Sequence, residues 1–214
     1  TFRSAPLLAA PSSHVVNAQD GTLENPSRTY EKKLGDLVGL YADADAFAKV
    51  AETDGGRIVY EVQDRHPQQD QGDLIFGITL MQPGQIGDEF FMTRGHIHAT
   101  GNRPEIYYGE SGEGLMLMES PEGETRIIEI RPRLMCYVPP FWIHRSVNTG
   151  DTPFVMTFVY PSDSGQDYDV IAQTGGMRSR IVSNGAGWKE IPNAAYRPRN
   201  KAEIAAIYAT GDQA

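Results

Sequence analysis

The sequence predicts an all-β sandwich or barrel, and three observations carry that expectation. From Arg57 to Pro161 short apolar runs follow one another, each bounded by Gly, Pro, Asn or Asp. RIVYEVQ alternates Ile58, Tyr60 and Val62 with polar partners, the period of a half-buried strand. DLIFGITLMQPG is apolar on both faces and reads as a central strand that ends at Pro83-Gly84. Short strands with closely spaced turn signals build sandwiches and barrels.

Taken in order, residues 1–28 are rich in Ala, Pro, Ser and Asn and predict an extended arm laid on a neighbour or across the sheet. From Tyr30 to Ala51, Leu34, Leu37, Val38, Tyr41, Ala44, Phe47 and Ala48 recur at helical steps. An amphipathic helix is expected there, weakened at Gly35 and Gly39 and ended by the DGG at 54–56. RHPQQDQGD reads as a loop, with His66 solvated like His14 in the arm. The strands then follow as EFFMTRGHIH, EIYYGESG, EGLMLME, TRIIEIRP, MCYVPP, IHRSVN and FVMTFVYP. ESGEG and ESPEGE predict hairpin turns, because glycine supplies the positive φ that tight turns need. DYDVIAQTGG predicts one or two helical turns, and NKAEIAAIYA a short terminal helix capped by Asn200. The expected organisation is a single domain: arm and helix over 1–56, barrel over 57–175, and an extension over 176–214.

Composition narrows the partners. In 214 residues the hydrophobic share is 40% and the charged share 22%, ordinary values for a globular chain. A formal net charge of −9 without a Lys/Arg run argues against nucleic acid and anionic membranes. No apolar stretch is long enough to span a bilayer, and PLLAA near the start is too short for a signal-peptide core. The single Cys136 permits no internal disulfide and reads as a buried core residue. A cytoplasmic setting is expected.

The chemistry concentrates in two segments. His96 and His98 are one residue apart, so on a strand both point to one face. Glu105 and Tyr107 repeat that spacing on the next strand, and His144 arrives after Pro139-Pro140. If GHIH pairs with EIYY through the ATGNRP loop, two imidazoles and a carboxylate converge, and His144 completes four ligands. Three imidazoles and a carboxylate suit a first-row divalent ion, Fe, Zn, Mn, Ni or Co, with open positions for substrate.

These residues carry a resemblance to the cupin superfamily, through HIHATGNRPE and the YYGESG that follows it. TLMQPGQIGDEFFMTRGHIH, then EIY, then PPFWIHRSVN, resemble more narrowly the cupin-type glucose-6-phosphate isomerase family, over roughly 57–175. The resemblance implies a double-stranded β-helix, or jelly-roll barrel, with an N-terminal arm and a few peripheral helices. It implies interconversion of glucose 6-phosphate and fructose 6-phosphate in glycolysis and gluconeogenesis. His96, His98, Glu105 and His144 would hold one divalent ion per subunit, Fe2+ first, with Mn2+, Zn2+, Ni2+ or Co2+ as alternatives. Thr79, Thr93, Gly95 and Tyr160 would bind the sugar phosphate, assisted by Tyr168, with Tyr107 beside the metal. Where relatives often carry a histidine this chain has Gln166, which can bond a sugar oxygen but cannot titrate near neutrality.

Aldose–ketose isomerisation needs a path for hydrogen between C1 and C2 and an electrophile for the developing oxyanion. Glu105 is the candidate base, with Tyr107 beside it; a hydride shift with Glu105 kept as a ligand is the alternative. Two rivals use the same ligand set: a metal-dependent cupin dioxygenase, whose pocket would be apolar, and a sugar-binding cupin without turnover. Arg94, Arg103 and Arg145 flank the ligands and are expected on solvated faces, with one of them in reach of the phosphate. Exposed strand edges and the arm predict a homodimer.

Overall fold

The computed structural model describes residues 10–67 and 72–212, so the predicted segments at 1–9 and 68–71 lie outside the described residues. A small hairpin, β1 (Val16–Asn17) and β2 (Thr22–Leu23), precedes β3 (Arg28–Lys33), helix α1 (Ala44–Asp54), β4 (Ile58–Arg65) and β5 (Leu74–Met81). Short β6 (Gln85–Ile86) and β7 (Glu89–Phe90) lead to β8 (Glu105–Ser111), β9 (Gly114–Glu119) and β10 (Thr125–Ile130). β11 (Met135–Val138), β12 (Ile143–Val147) and β13 (Phe154–Pro161) follow, then α2 (Asp169–Ala172), β14 (Ser179–Ser183), β15 (Trp188–Pro192) and α3 (Lys201–Ala209).

Six strands form one sheet in the order β11-β8-β13-β5-β4-β3, and β10-β9-β12 form a second. All their pairings are antiparallel. The doubly apolar β5 lies inside the larger sheet, as its sequence predicts, and every residue of β9 is buried. Residues of both sheets share one core, and His144 on β12 reaches Glu105 on β8, so the inner faces meet. This is the cupin double-stranded β-helix. On the opposite face of β5 and β13, Leu23 of the arm packs with Ile78 and Val155.

Three local expectations fail, each for a physical reason. The helix predicted from Tyr30 begins only at Ala44, where the Asp43 side chain accepts from Ala46 N. Residues Arg28–Lys33 are instead a strand paired with β4, followed by a short 3-10 turn, Leu34–Leu37. Gly39 at φ +80 breaks the chain before α1. An open sheet edge thus outweighed helical spacing, since edge pairing satisfies a whole row of backbone groups. ESGEG is not a hairpin either: β8 and β9 belong to different sheets, and Gly112 (φ +68) turns the chain across between them. ESPEGE is a hairpin, with β9 and β10 paired and Gly123 N donating to Ser120 O. Finally, GHIH does not pair with EIYY. His96 makes an isolated bridge to His144 and Ile97 to Asp167, while Glu105 pairs with Val138. The terminal helix forms as expected, with the Asn200 side chain accepting from Ala202 N and Glu203 N.

Candidate metal centre and sugar-phosphate pocket

Four predicted ligands meet at one point. Ligand atoms of His96, His98, Glu105 and His144 all lie within 4.8 Å of one another, three of the four residues being buried. Two backbone hydrogen bonds tie His96 to His144, which sets the first histidine beside the last although the sequence separates them widely. Glu105 starts β8, where its inward face is continued by Tyr107.

The donor set fits a cation. His98 Nδ1 donates to the Arg103 carbonyl (2.8 Å) and His144 Nδ1 to the Trp142 carbonyl (3.0 Å), since a carbonyl can only accept. Each ring therefore presents Nε2 inward, the orientation that backbone carbonyls impose on metal-ligating histidines. Those two Nε2 atoms stand 3.2 and 3.0 Å from Glu105 Oε2. His96 Nε2 is buried without a hydrogen-bond partner among the described residues, 3.9 Å from the same oxygen. Burial, helped by His144, holds the His96 ring neutral by pushing its pKa well below the ordinary value. Burial opposes the charge on Glu105, but the adjacent His144 and His98 rings outweigh it and hold its carboxyl far below the usual range. An ionised carboxylate and inward imidazole nitrogens around one point are what a divalent ion requires.

Beside this cluster lies a cavity of about 570 Å³ including its open mouth. Thr79, Thr93, Gly95, Tyr107, Tyr160, Gln166 and Tyr168 all line it. Thr93 Oγ accepts from Ser146 N at 3.1 Å, which aims its own hydrogen elsewhere. The Tyr168 hydroxyl donates to Gln166 Oε1, fixing which end of that amide faces the pocket. Burial first, then the Glu105 charge, pushes the Tyr107 phenol well above its ordinary pKa. It does the same to Tyr160, and Tyr60 rises to about 12 through burial. These phenols stay protonated and serve as donors.

Gly95 sits at φ +72, and a Cβ there would meet Ile171 Cδ1 at 2.8 Å and His144 O at 2.9 Å. Gly95→Ala is therefore expected to cost about 1–3 kcal/mol in backbone strain alone and to displace His144. Urea unfolding alongside metal content checks both; wild-type values for the pair would refute it.

Two expectations about flanking residues are corrected. His66 is not solvated: its Nε2 is buried, 2.9 Å from Asp64 Oδ1. Arg145 is not on a solvated face either. It is 5% exposed and lines the cavity, with Nη2 donating to Arg94 O and Nη1 to Met92 Sδ. Burial, with Arg180 adding repulsion, lowers its pKa to about 10. Arg103 pairs with Asp163, and the exposed Arg94 stacks over the Tyr168 ring. Sequence reasoning missed Arg28, Tyr30, Tyr60, Asp64, Arg145 and Ser146 in the lining. Extending the alternation of Tyr60 and Val62 by one step would have found Asp64.

A model of the family described as glucose-6-phosphate isomerase (GPI) matches residues 31–197. A glucose-6-phosphate isomerase of Sinorhizobium medicae (strain WSM419) is 54% identical over 202 residues, 94% of this chain and 94% of that protein. One from Thermococcus litoralis is 42% identical over 170 residues, covering 79% of this chain and 88% of its own length.

Proposed function

This chain belongs to the cupin-type glucose-6-phosphate isomerase family, and from that premise we propose a metal-dependent isomerase that binds the open-chain sugar phosphate in the cavity beside Glu105. The enzyme interconverts glucose 6-phosphate and fructose 6-phosphate. The observation that carries the metal requirement is Glu105 Oε2, set within 3.2 Å of two inward imidazole nitrogens and facing a third that has no hydrogen-bond partner among the described residues.

His96, His98, Glu105 and His144 would hold one divalent ion, Fe2+ by preference, with Mn2+, Zn2+, Ni2+ or Co2+ as substitutes. Such an ion supplies Lewis-acid polarisation of the C1 and C2 oxygens. The chain's own residues do the rest. Tyr107, protonated, donates to a sugar oxygen beside Glu105. Glu105 is ionised and is the one carboxylate at the cluster, so it is placed to take the C1/C2 proton if it loosens its ligand bond. The hydride-shift alternative keeps it as a ligand throughout. Thr79, Thr93, Tyr160 and the Gly95 N–H would orient the phosphate, and orientation of this kind lowers the entropic part of the barrier. Gln166 and Tyr168 would bond a sugar hydroxyl; Gln166 shuttles no proton. A pocket lined by phenols, hydroxyls and guanidinium groups supports a polar sugar over the apolar substrates expected of a dioxygenase.

A cytoplasmic homodimer completes the proposal. It is supported by the exposed Met135 and Tyr137 on the edge strand β11, next to the exposed Ile106. Among the described residues no helix is long and apolar enough to cross a membrane.

The test is a coupled assay of glucose 6-phosphate conversion. EDTA treatment is expected to remove nearly all activity, and Fe2+ or Mn2+ to restore it. Undiminished turnover in metal-free protein would end the metal-dependent reading.

A further inference from the structure

The cavity wall farthest along the sheet from Glu105 carries a charge pair that the roles above leave unused. Arg28 on β3 and Asp64 on β4 are register partners, and both line the cavity. The Asp64 side chain is wholly buried. Its Oδ2 accepts from Arg28 Nε at 3.1 Å and Nη2 at 2.5 Å. Its Oδ1 has no hydrogen bond, although His66 Nε2 lies 2.9 Å away. Gly77, opposite Asp64 on β5, makes this burial sterically feasible, since a Cβ there would meet Asp64 Cβ at 2.9 Å.

Arg28 is held on two sides yet stays available. The Asp64 carboxylate grips one edge of the guanidinium, and the Tyr30 ring lies 5.1 Å from its carbon. Its Nη1 has no hydrogen-bond partner among the described residues, and the side chain is 48% exposed at the mouth. An exposed arginine pair ordinarily stabilises little. A guanidinium locked in place over a cavity, with an unused donor edge, is built to meet an anion. Its charge also reaches Tyr160 and Tyr168: burial pushes both phenols up, and Arg28 acts against that shift.

Length agrees. Three strand steps separate β8, which carries Glu105, from β4, which carries Asp64. At about 4.8 Å per step that is roughly 14 Å, reduced at each end by an inward side chain. The gap suits an open-chain six-carbon sugar phosphate with its reacting carbons at Glu105.

Resting on the isomerase reading above, we propose that Arg28 is the charged anchor for the substrate phosphate and that Asp64 is the residue that positions it. Thr79, Thr93, Tyr160 and the Gly95 N–H, which line the same cavity, then complete the phosphate's shell with neutral donors. The assignment makes Arg28 a specificity determinant, one that separates phosphorylated from unphosphorylated sugars.

The experiment uses metal-loaded full-length protein with R28Q, R28K, D64N and the R28Q/D64N double variant, each checked for folding by circular dichroism. Two readouts are taken: kinetics on glucose 6-phosphate, and calorimetric binding of 6-phosphogluconate against gluconate, which differ only in the phosphate. R28Q is expected to raise KM about tenfold or more, the range of a lost charged hydrogen bond, with kcat changed by less than about threefold. Its affinity for 6-phosphogluconate should fall by the same factor while that for gluconate holds. R28K should recover part of the loss, having the charge without the fork. D64N should weaken the preference for the phosphorylated acid, and the double variant should be no worse than R28Q. Should R28Q not fold, the loss in R28K of preference for the phosphorylated acid gives the same reading. An unchanged preference in R28Q, or an equal loss of both acids, overturns the assignment, as does a wild type that binds both acids alike. A wild type that prefers 6-phosphogluconate but turns over no glucose 6-phosphate sinks the isomerase reading instead, and the binding pair still decides Arg28.

Discussion

Replacing His144 with alanine is expected to lower metal affinity by more than a hundredfold and to abolish turnover while the barrel stays folded. Loss of a residue that merely orients a ligand already costs about 10–100-fold, so loss of the ligand itself should exceed that. His144 Nε2 stands 3.0 Å from Glu105 Oε2, and its ring approaches His96 with centroids 4.4 Å apart. The fold should survive because the two bonds joining residues 96 and 144 are made by the main chain, which alanine keeps. Metal content after dialysis, measured by mass spectrometry, and the coupled assay report the two effects separately. Stoichiometric metal retained by the variant would show that the ion, if any, sits elsewhere.

Glu119→Ala should have the largest effect on stability, a loss of about 3–5 kcal/mol, the range for removing one partner of a buried ion pair. Glu119 is 1% exposed and gathers three donors. Its Oε1 accepts from Arg199 Nη1 at 2.5 Å and from the Tyr196 hydroxyl at 3.0 Å, and its Oε2 from Arg178 N at 2.6 Å. Arg199 is itself nearly buried, so the substitution strands a guanidinium away from water. The cluster joins β9 to the segment ahead of α3, and amide exchange in 193–209 should rise along with the loss in global stability. Unfolding by urea measures the first quantity; a change below about 1 kcal/mol would show that the pair contributes little beyond an apolar replacement.

The strands of the barrel were legible because their signals are local. Alternation in β4, the doubly apolar β5 and the Pro139-Pro140 stop after β11 each act over a few residues. The candidate ligands were legible from spacing too: Glu105 and Tyr107 share a face of β8, whereas His96 and His98 converge although their segment forms only isolated bridges outside the strands. The segment from Tyr30 misled because its apolar spacing satisfies a helix, while its actual state depends on a partner strand that begins only at Ile58. Pairing between segments is a property of the closed barrel and leaves little trace in either segment alone.

Residue types and short-range spacing therefore determined the all-β class and the candidate ligand cluster, and the resemblance carried by the motifs pointed to the family to which the chain belongs. Tertiary structure alone decided that His96 pairs with His144 instead of with the Glu105 strand. It alone buried Arg145 and brought Arg28 of the N-terminal segment to the cavity beside Asp64. The reason is physical: a side chain's face follows from its neighbours in sequence, but its burial and its charge partners follow from which strands close against each other.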